Sequence, residues 1–184
     1  MNKGKIIKHI PNSLTMTNML LGFASIIILM RTDLPRKELI VVVLIMIGGV
    51  LDFFDGHIAR KFNAATNIGK QLDSFADLVT FGIVPVCLVN YLALCGHAIP
   101  IAVSSGAFLI AGTYRLARHN TNEFSSHFTG LPIPAAGIIL GIYCIIHSSW
   151  VTYRHPDLCT LITTTFIVLL SILMVSRVKI KRVL

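Results

Sequence analysis

Asp52, Asp55, Asp73 and Asp77 are four of the chain's eight acidic residues, and one 26-residue window holds them all. The stretches on either side, Leu39 to Leu51 and Leu78 to Leu94, carry no charged residue. A carboxylate in such surroundings is costly and marks a functional site by default. Four of them repel one another unless a cation gathers them. The spacings, three apart and then four apart, each put two carboxylates on one face of a helix. Carboxylate oxygens suit hard cations such as Mg²⁺ or Mn²⁺. Four can hold two such ions, which together would clamp a diphosphate and stabilise its displacement. The plainer alternative makes the aspartates interfacial caps or ion-pair partners of Arg60 and Lys70. That alternative is adequate for one aspartate and poor for four at these spacings. Gly56 follows Asp55 directly and Gly69 stands four before Asp73. Either could be helix punctuation, but beside a metal a missing side chain lets a ligand approach the backbone. Ala59 leaves room one turn beyond Asp55, and Arg60 places a cation where a phosphate could lie.

The elements that must carry these residues are membrane spans. Soluble domains hold about 25% charged residues, whereas this chain of 184 residues is 13% charged and 54% hydrophobic. Six hydrophobic segments can be drawn, at 14–30, 39–61, 72–94, 98–118, 133–151 and 158–176. Each approaches the roughly 20 apolar residues that a spanning helix needs. The fourth is interrupted by Ser104-Ser105-Gly106. No small-residue cleavage site follows the basic start, so no signal peptide is expected. With six spans, one side receives Lys3, Lys5, Lys8, Arg60, Lys61, Lys70, Arg115, Arg118, Arg177, Lys179, Lys181 and Arg182. The other receives Arg31, Arg36, Lys37 and Arg154. That bias predicts a multi-pass protein of the cell membrane with both termini and the aspartates on the cytoplasmic side. The net charge of +8 then suits anionic lipid heads and phosphorylated substrates, and no nucleic acid is implied.

The expectation is a single all-α integral membrane domain over residues 1–184. Cys87, Cys95, Cys144 and Cys159 lack metal-type spacing. Cys87 and Cys144 read as small apolar residues, and packing is favoured over a Cys95–Cys159 bridge near the outer face. The seven histidines are scattered. Packing roles are favoured for them, with His57 and His127 the two placed to touch substrate. An ion channel or divalent-cation transporter would need polar residues across the bilayer. The outer halves of the second and third spans offer only Asn90 and Tyr91.

The pattern Asp52-x2-Asp55-Gly56-x2-Ala59-Arg60-x8-Gly69-x3-Asp73-x3-Asp77 resembles the signature of the CDP-alcohol phosphatidyltransferase family at every fixed position. That resemblance implies six transmembrane helices, a homodimer, a dinuclear Mg²⁺ or Mn²⁺ site, and transfer of a phosphatidyl group from a CDP-linked lipid to an alcohol with release of CMP. It implies Asp52, Asp55 and Asp73 as metal ligands. Asp77 would bind the second metal and act as general base on the acceptor hydroxyl. Gly56, Ala59 and Gly69 would line the CMP moiety with Thr66 beside them, and Arg60 and Lys70 would join the CDP-lipid site.

The signature is silent on the acceptor. Arg115 and Arg118, three apart, share a helix face and could hold a carboxylate or phosphate bidentately, or snorkel to lipid heads. The runs Tyr114-Arg115-Leu116-Ala117-Arg118-His119-Asn120 and Gly130-Leu131-Pro132-Ile133-Pro134-Ala135-Ala136 resemble those of the membrane-embedded phosphatidylserine synthases of bacteria and archaea, as does Leu72 to Gly82. His119 departs from the Phe usual there. That resemblance implies CDP-diacylglycerol as donor and L-serine as acceptor, with Arg115, Arg118 and Asn120 at the acceptor. CDP-archaeol is the alternative donor, and glycerol 3-phosphate or an inositol phosphate the alternative acceptor. Pro11-Asn12-Ser13-Leu14-Thr15-Met16-Thr17-Asn18 resembles another element of the subgroup. Asn12 could cap the first helix. Asn18 lies deeper, needs a partner, and is expected near the diphosphate or the acceptor.

Overall fold

Large apolar side chains crowd the outside of this molecule. Leu20, Phe23, Val103, Ile110 and Ile172 are all more than half exposed, an arrangement that only lipid solvates well. The computed structural model describes residues 3–31, 34–62, 66–92, 97–121, 128–150, 156–176 and 179–180. The helices are α1 (Lys3–Met30), α2 (Lys37–Lys61), α3 (Asn67–Asp77), a π-helical turn (Leu78–Ile83), α4 (Val84–Leu92), α5 (Ala98–Thr121), α6 (Ile133–Trp150) and α7 (Pro156–Val175). Two-residue strands, β1 (Phe128–Thr129) and β2 (Lys179–Ile180), pair antiparallel.

Five segments are long and apolar enough to cross a membrane: Pro11–Met30, Lys37–Lys61, Asn67–Leu92, Ala98–Thr121 and Asp157–Val175. A shorter apolar helix, Ile133–His147, supplies the sixth. The six-helix expectation holds, with differences at the edges. α1 begins at Lys3 rather than near residue 14 and runs through Pro11, so Asn12 lies inside a helix and caps nothing. The serines at 104 and 105 do not break α5. Ser104 Oγ donates back to the Ile101 carbonyl at 2.9 Å, and Ser105 Oγ accepts from Asn90 Nδ2 at 3.1 Å. Their hydroxyls are thus satisfied within and between helices, and a buried helix tolerates them.

The third span is where regular geometry gives way. Pro85 offers no N–H to the Phe81 carbonyl four residues earlier, and its ring crowds that carbonyl. The wider π turn at Leu78–Ile83 sits directly before it. Glycines let neighbouring helices close on this turn. A Cβ on Gly137 of α6 would run into the Phe81 carbonyl oxygen and come within 2.8 Å of Phe81 Cα. A Cβ on Gly22 of α1 would meet Thr80 Oγ1 at 2.6 Å. Small residues at such crossings allow backbones to touch.

The two ends of the bundle are tied differently. At one end Lys37 Nζ donates to the Leu29 and Arg31 carbonyls and sits 4.1 Å from the Tyr91 ring centroid. At that same end His97 Nε2 and Asp157 Oδ1 are 2.7 Å apart, joining the starts of α5 and α7. Cys159, in the first turn of α7, is disulfide-bonded, against the packing role favoured for it, while Cys87 and Cys144 are free. Cys95 lies outside the described residues. At the opposite end, Leu131 N donates to Leu173 O at 3.0 Å and Arg118 Nη1 to Val175 O at 3.2 Å. These donors satisfy the open carbonyls that end α7. Gly130 makes this possible at φ 81°, where a Cβ would meet Ser176 O at 2.9 Å.

Candidate active site

α2 and α3 run toward and away from one end of the bundle, and the aspartates sit where they meet. One oxygen each from Asp52, Asp55 and Asp73 lie within 4.8 Å of one another. At that separation and an effective dielectric of about 20, each ionised pair repels by about 3 kcal/mol. Asp77 stands beside Asp52, and the Arg115 guanidinium of α5 lies close enough to act on both. Arg115 is buried although charged. Asp73 Oδ1, Asp77 Oδ1 and Arg115 Nε are buried without a hydrogen-bond partner in the described fold. Crowded carboxylates, partnerless buried oxygens and an all-oxygen donor set fit a divalent cation.

Beside the carboxylates lies a cavity of about 210 Å³ lined by Pro11, Asn12, Thr15, Asp55, Gly56, Ala59, Arg60, Thr66, Gly69, Lys70 and Asp73. Of the seven residues expected at the CDP-lipid, six (Gly56, Ala59, Arg60, Thr66, Gly69 and Lys70) are in its wall and Asn18 is not. Thr66 also caps α3, its Oγ1 accepting from Gly69 N at 3.0 Å. The two glycines differ in kind. A Cβ on Gly69 would press on Asn12 Oδ1 and Thr66 Oγ1 at 3.1 Å, so packing explains that glycine. A Cβ on Gly56 would approach only Arg60 Nη1, at 4.0 Å. Its missing side chain therefore leaves open space rather than protein contact.

The first helix contributes more than its sequence suggested. Thr15 Oγ1 donates to Asp55 Oδ2 at 2.8 Å, with the Pro11 carbonyl 3.1 Å away as a second acceptor. One hydroxyl proton serves one of them at a time. Pro11, Asn12 and Thr15 were not foreseen at this site. The hints were the resemblance of the Pro11 to Asn18 run to a subgroup element and the four-residue step from Pro11 to Thr15, which puts both on one face of α1.

Asn18, expected near the diphosphate or the acceptor, does not line the cavity. It is fully buried one turn deeper, and neither side-chain amide atom has a partner in the described fold. Arg118 is drawn to the end of α7, whereas Arg115 points at the aspartates. Asn120 Nδ2 donates to Ser74 Oγ at 2.9 Å, and that hydroxyl donates on to the Lys70 carbonyl at 3.1 Å. This chain ties the last turn of α5 to the residue after Asp73. His57 stacks on Phe53 at 6.3 Å between centroids, outside the cavity wall. His127 lies outside the described residues.

The family model for CDP-alcohol phosphatidyltransferases matches residues 8–176. The chain belongs to the CDP-alcohol phosphatidyltransferase family. The CDP-diacylglycerol–serine O-phosphatidyltransferase of Bacillus subtilis is similar to it, 36% identical over 94% of this chain and 90% of that protein. The archaetidylserine synthase of Methanothermobacter thermautotrophicus is 31% identical over all of this chain and 75% of its own length. A CDP-diacylglycerol–glycerol-3-phosphate 3-phosphatidyltransferase of Rickettsia bellii is 35% identical over 47% of each chain. As a CDP-alcohol phosphatidyltransferase, the protein places the family's eight signature residues around one cluster of carboxylates and one adjoining cavity.

Proposed function

We propose that this protein transfers the phosphatidyl group of CDP-diacylglycerol to the hydroxyl of L-serine, giving phosphatidylserine and CMP. The observation that carries the reading is the junction of the 210 Å³ cavity with the carboxylate cluster. A nucleotide in that cavity has its diphosphate at the cluster. The choice of serine is supported by the relatives named for serine acceptors, which align along nearly the whole chain, and by Arg115, whose guanidinium suits a carboxylate.

Asp52, Asp55, Asp73 and Asp77 would hold two Mg²⁺ or Mn²⁺ ions, whose charge, when bound, neutralises the diphosphate and makes CMP a better leaving group. The rest falls to the chain's own groups. Asp77 takes the serine hydroxyl proton on its carboxylate, whose Oδ1 has no hydrogen-bond partner among the described residues. The serine oxygen bonds to the phosphorus bearing the lipid, and the bond from that phosphorus to the CMP oxygen breaks. Thr15 orients Asp55. Arg60 and Lys70 line the cavity at the nucleotide phosphates. Arg115 holds the serine carboxylate, with Asn120 beside it.

The chain acts in this reading as one catalytic domain and as a homodimer in the cell membrane, with both termini and the site facing the cytoplasm. The cation bias supports that orientation. So does the disulfide at Cys159, which belongs in an oxidising compartment and lies at the end far from the aspartates.

The test uses purified full-length protein with Mn²⁺ and labelled L-serine or labelled glycerol 3-phosphate. CDP-diacylglycerol and CDP-archaeol serve as separate donors. Label entering lipid from serine, with matching CMP release, is the expected result. Label entering only from glycerol 3-phosphate would sink the serine assignment, and a strong preference for CDP-archaeol would replace the donor. Asp77→Asn should lower transfer by about 10²–10⁴-fold while CDP-lipid binding persists in an equilibrium assay.

A further inference from the structure

Asn18 is the one fully buried side chain among the described residues whose amide nitrogen and oxygen both lack a partner. Burying such a group unpaired is unfavourable, so its survival in the core calls for a reason. The contacts around it locate it closely. The Thr15–Asp55 hydrogen bond sets the register of α1 against the antiparallel α2. Asn18, one turn farther along α1, then lies level with the Gly48 to Asp52 turn of α2. A Cβ on Gly48 would come within 2.6 Å of Asn18 Oδ1, so Gly48 makes the room that the amide occupies. On the other side, Thr80 Oγ1 donates to the Asn18 backbone carbonyl at 2.9 Å. Asp77 precedes Thr80 by three residues, which is one helical turn or about 4.5 Å.

Asn18 therefore lies one turn beneath both Asp52 and Asp77. Of the two partnerless carboxylate oxygens, on Asp73 and Asp77, that of Asp77 is the nearer along the chain to Thr80, which touches Asn18. The two groups are complementary: the amide Nδ2 has protons to give and the carboxylate oxygen has lone pairs to receive them. No direct hydrogen bond joins them, and a single water can bridge two such groups when both are polar and buried.

We infer that Asn18 is a positioning residue for Asp77, joined to it by one buried water that accepts from Asn18 Nδ2 and donates to Asp77 Oδ1. The link fixes the carboxylate plane while leaving a lone pair for the acceptor proton. It also gives Gly48 and Thr80 a role as the walls of that water site. The inference rests on the assignment of Asp77 as the base in the proposed reaction.

The experiment compares Asn18→Leu and Asn18→Ala in the full-length protein. Leu has the branched heavy-atom shape of Asn, with bulkier methyl groups, but cannot hydrogen-bond. Ala leaves space in which a second water replaces the amide. With the link in place, Asn18→Leu lowers kcat by about ten- to hundred-fold with KM for both substrates unchanged. Asn18→Ala loses less. Thermal stability takes the reverse order, since Leu fills the core and Ala leaves a cavity. If kcat instead tracks thermal stability, with Ala the worse variant, Asn18 is a packing residue and the inference falls. A second readout needs no turnover: the infrared carboxylate stretch. Asn18→Leu should shift one carboxylate band, and the same substitution in an Asp77→Asn background should shift none. An unshifted band, or a shift that survives in that background, overturns the link. Should the wild type release no CMP with serine, the acceptor assignment fails while the infrared comparison still decides the link.

Discussion

Gly56 and Thr15 show two ways in which small side chains shape the same site. Gly56 keeps a volume empty, because a side chain there would meet little but Arg60. Gly56→Val should therefore fold normally yet raise KM for CDP-diacylglycerol by about ten-fold or more through steric exclusion, read in initial-rate assays. Equal KM in the variant would mean that the nucleotide lies elsewhere. Thr15 acts by hydrogen bonding. Thr15→Val keeps the shape and removes the proton donated to Asp55, a bond to a charged group of about 1.5–3 kcal/mol. The Mn²⁺ concentration for half-maximal activity should rise by about ten-fold or more, and the unfolding midpoint should fall by a few degrees. A metal titration unchanged from wild type would detach Thr15 from the metal site. The aspartates were legible in sequence because charge in an apolar run is conspicuous and their spacing is local. Thr15 lay in a run that resembles a subgroup element, but its role was not legible, because its partner is 40 residues away in the chain. Arg118 illustrates the converse limit. Its step from Arg115 predicted a shared face, but the open carbonyls ending α7 drew its side chain away.

At the scale of elements, hydropathy revealed the spans and missed what happens inside them. The third span is broken by a π turn, and its cause, Pro85 facing the Phe81 carbonyl, is local and could be anticipated. The neighbouring helices that accept this distortion could not, since they come from distant glycines. Gly137 is the tightest of these contacts, resting on the Phe81 backbone, which cannot move aside as a flexible side chain can. Gly137→Ala should destabilise the bundle by about 1–3 kcal/mol and, because the π turn begins directly after Asp77, lower kcat as well. Gly141→Ala is the matched control on the same helix. Its Cβ would find its nearest neighbour, Val42 Cγ2, at 3.4 Å, an ordinary contact. Thermal unfolding in detergent compares the two, and equal midpoints would show that the Phe81 contact relaxes freely. α1 makes a related point. Its polar start read as a preamble to the first span, yet the helix continues back to Lys3 and brings Pro11 and Asn12 to the cavity wall.

For the whole molecule, the two ends of the bundle have opposite characters, and that polarity is what the proposed reaction needs. One end gathers four carboxylates, Arg60, Lys70 and Arg115 around an open cavity. The other holds the Lys37 and His97–Asp157 ties and the disulfide at Cys159. Six helices return both chain ends to one face, which the proposed orientation turns toward the cytoplasm. Nucleotide-activated lipid and free serine are then met on the side where the carboxylates lie. The two ends can be told apart with a membrane-impermeant thiol reagent. Thr121 closes α5 at the aspartate end and Ile99 opens it at the other, and both are exposed. In a background with Cys87 and Cys144 replaced by Ala, Ile99→Cys should label in intact cells and Thr121→Cys only in inverted vesicles. Labelling of Thr121→Cys from outside intact cells would reverse the topology and place the carboxylates on the wrong side for their substrates. Because α5 carries both positions and Arg115 between them, the same two variants also report the side of the membrane on which the buried guanidinium meets Asp77.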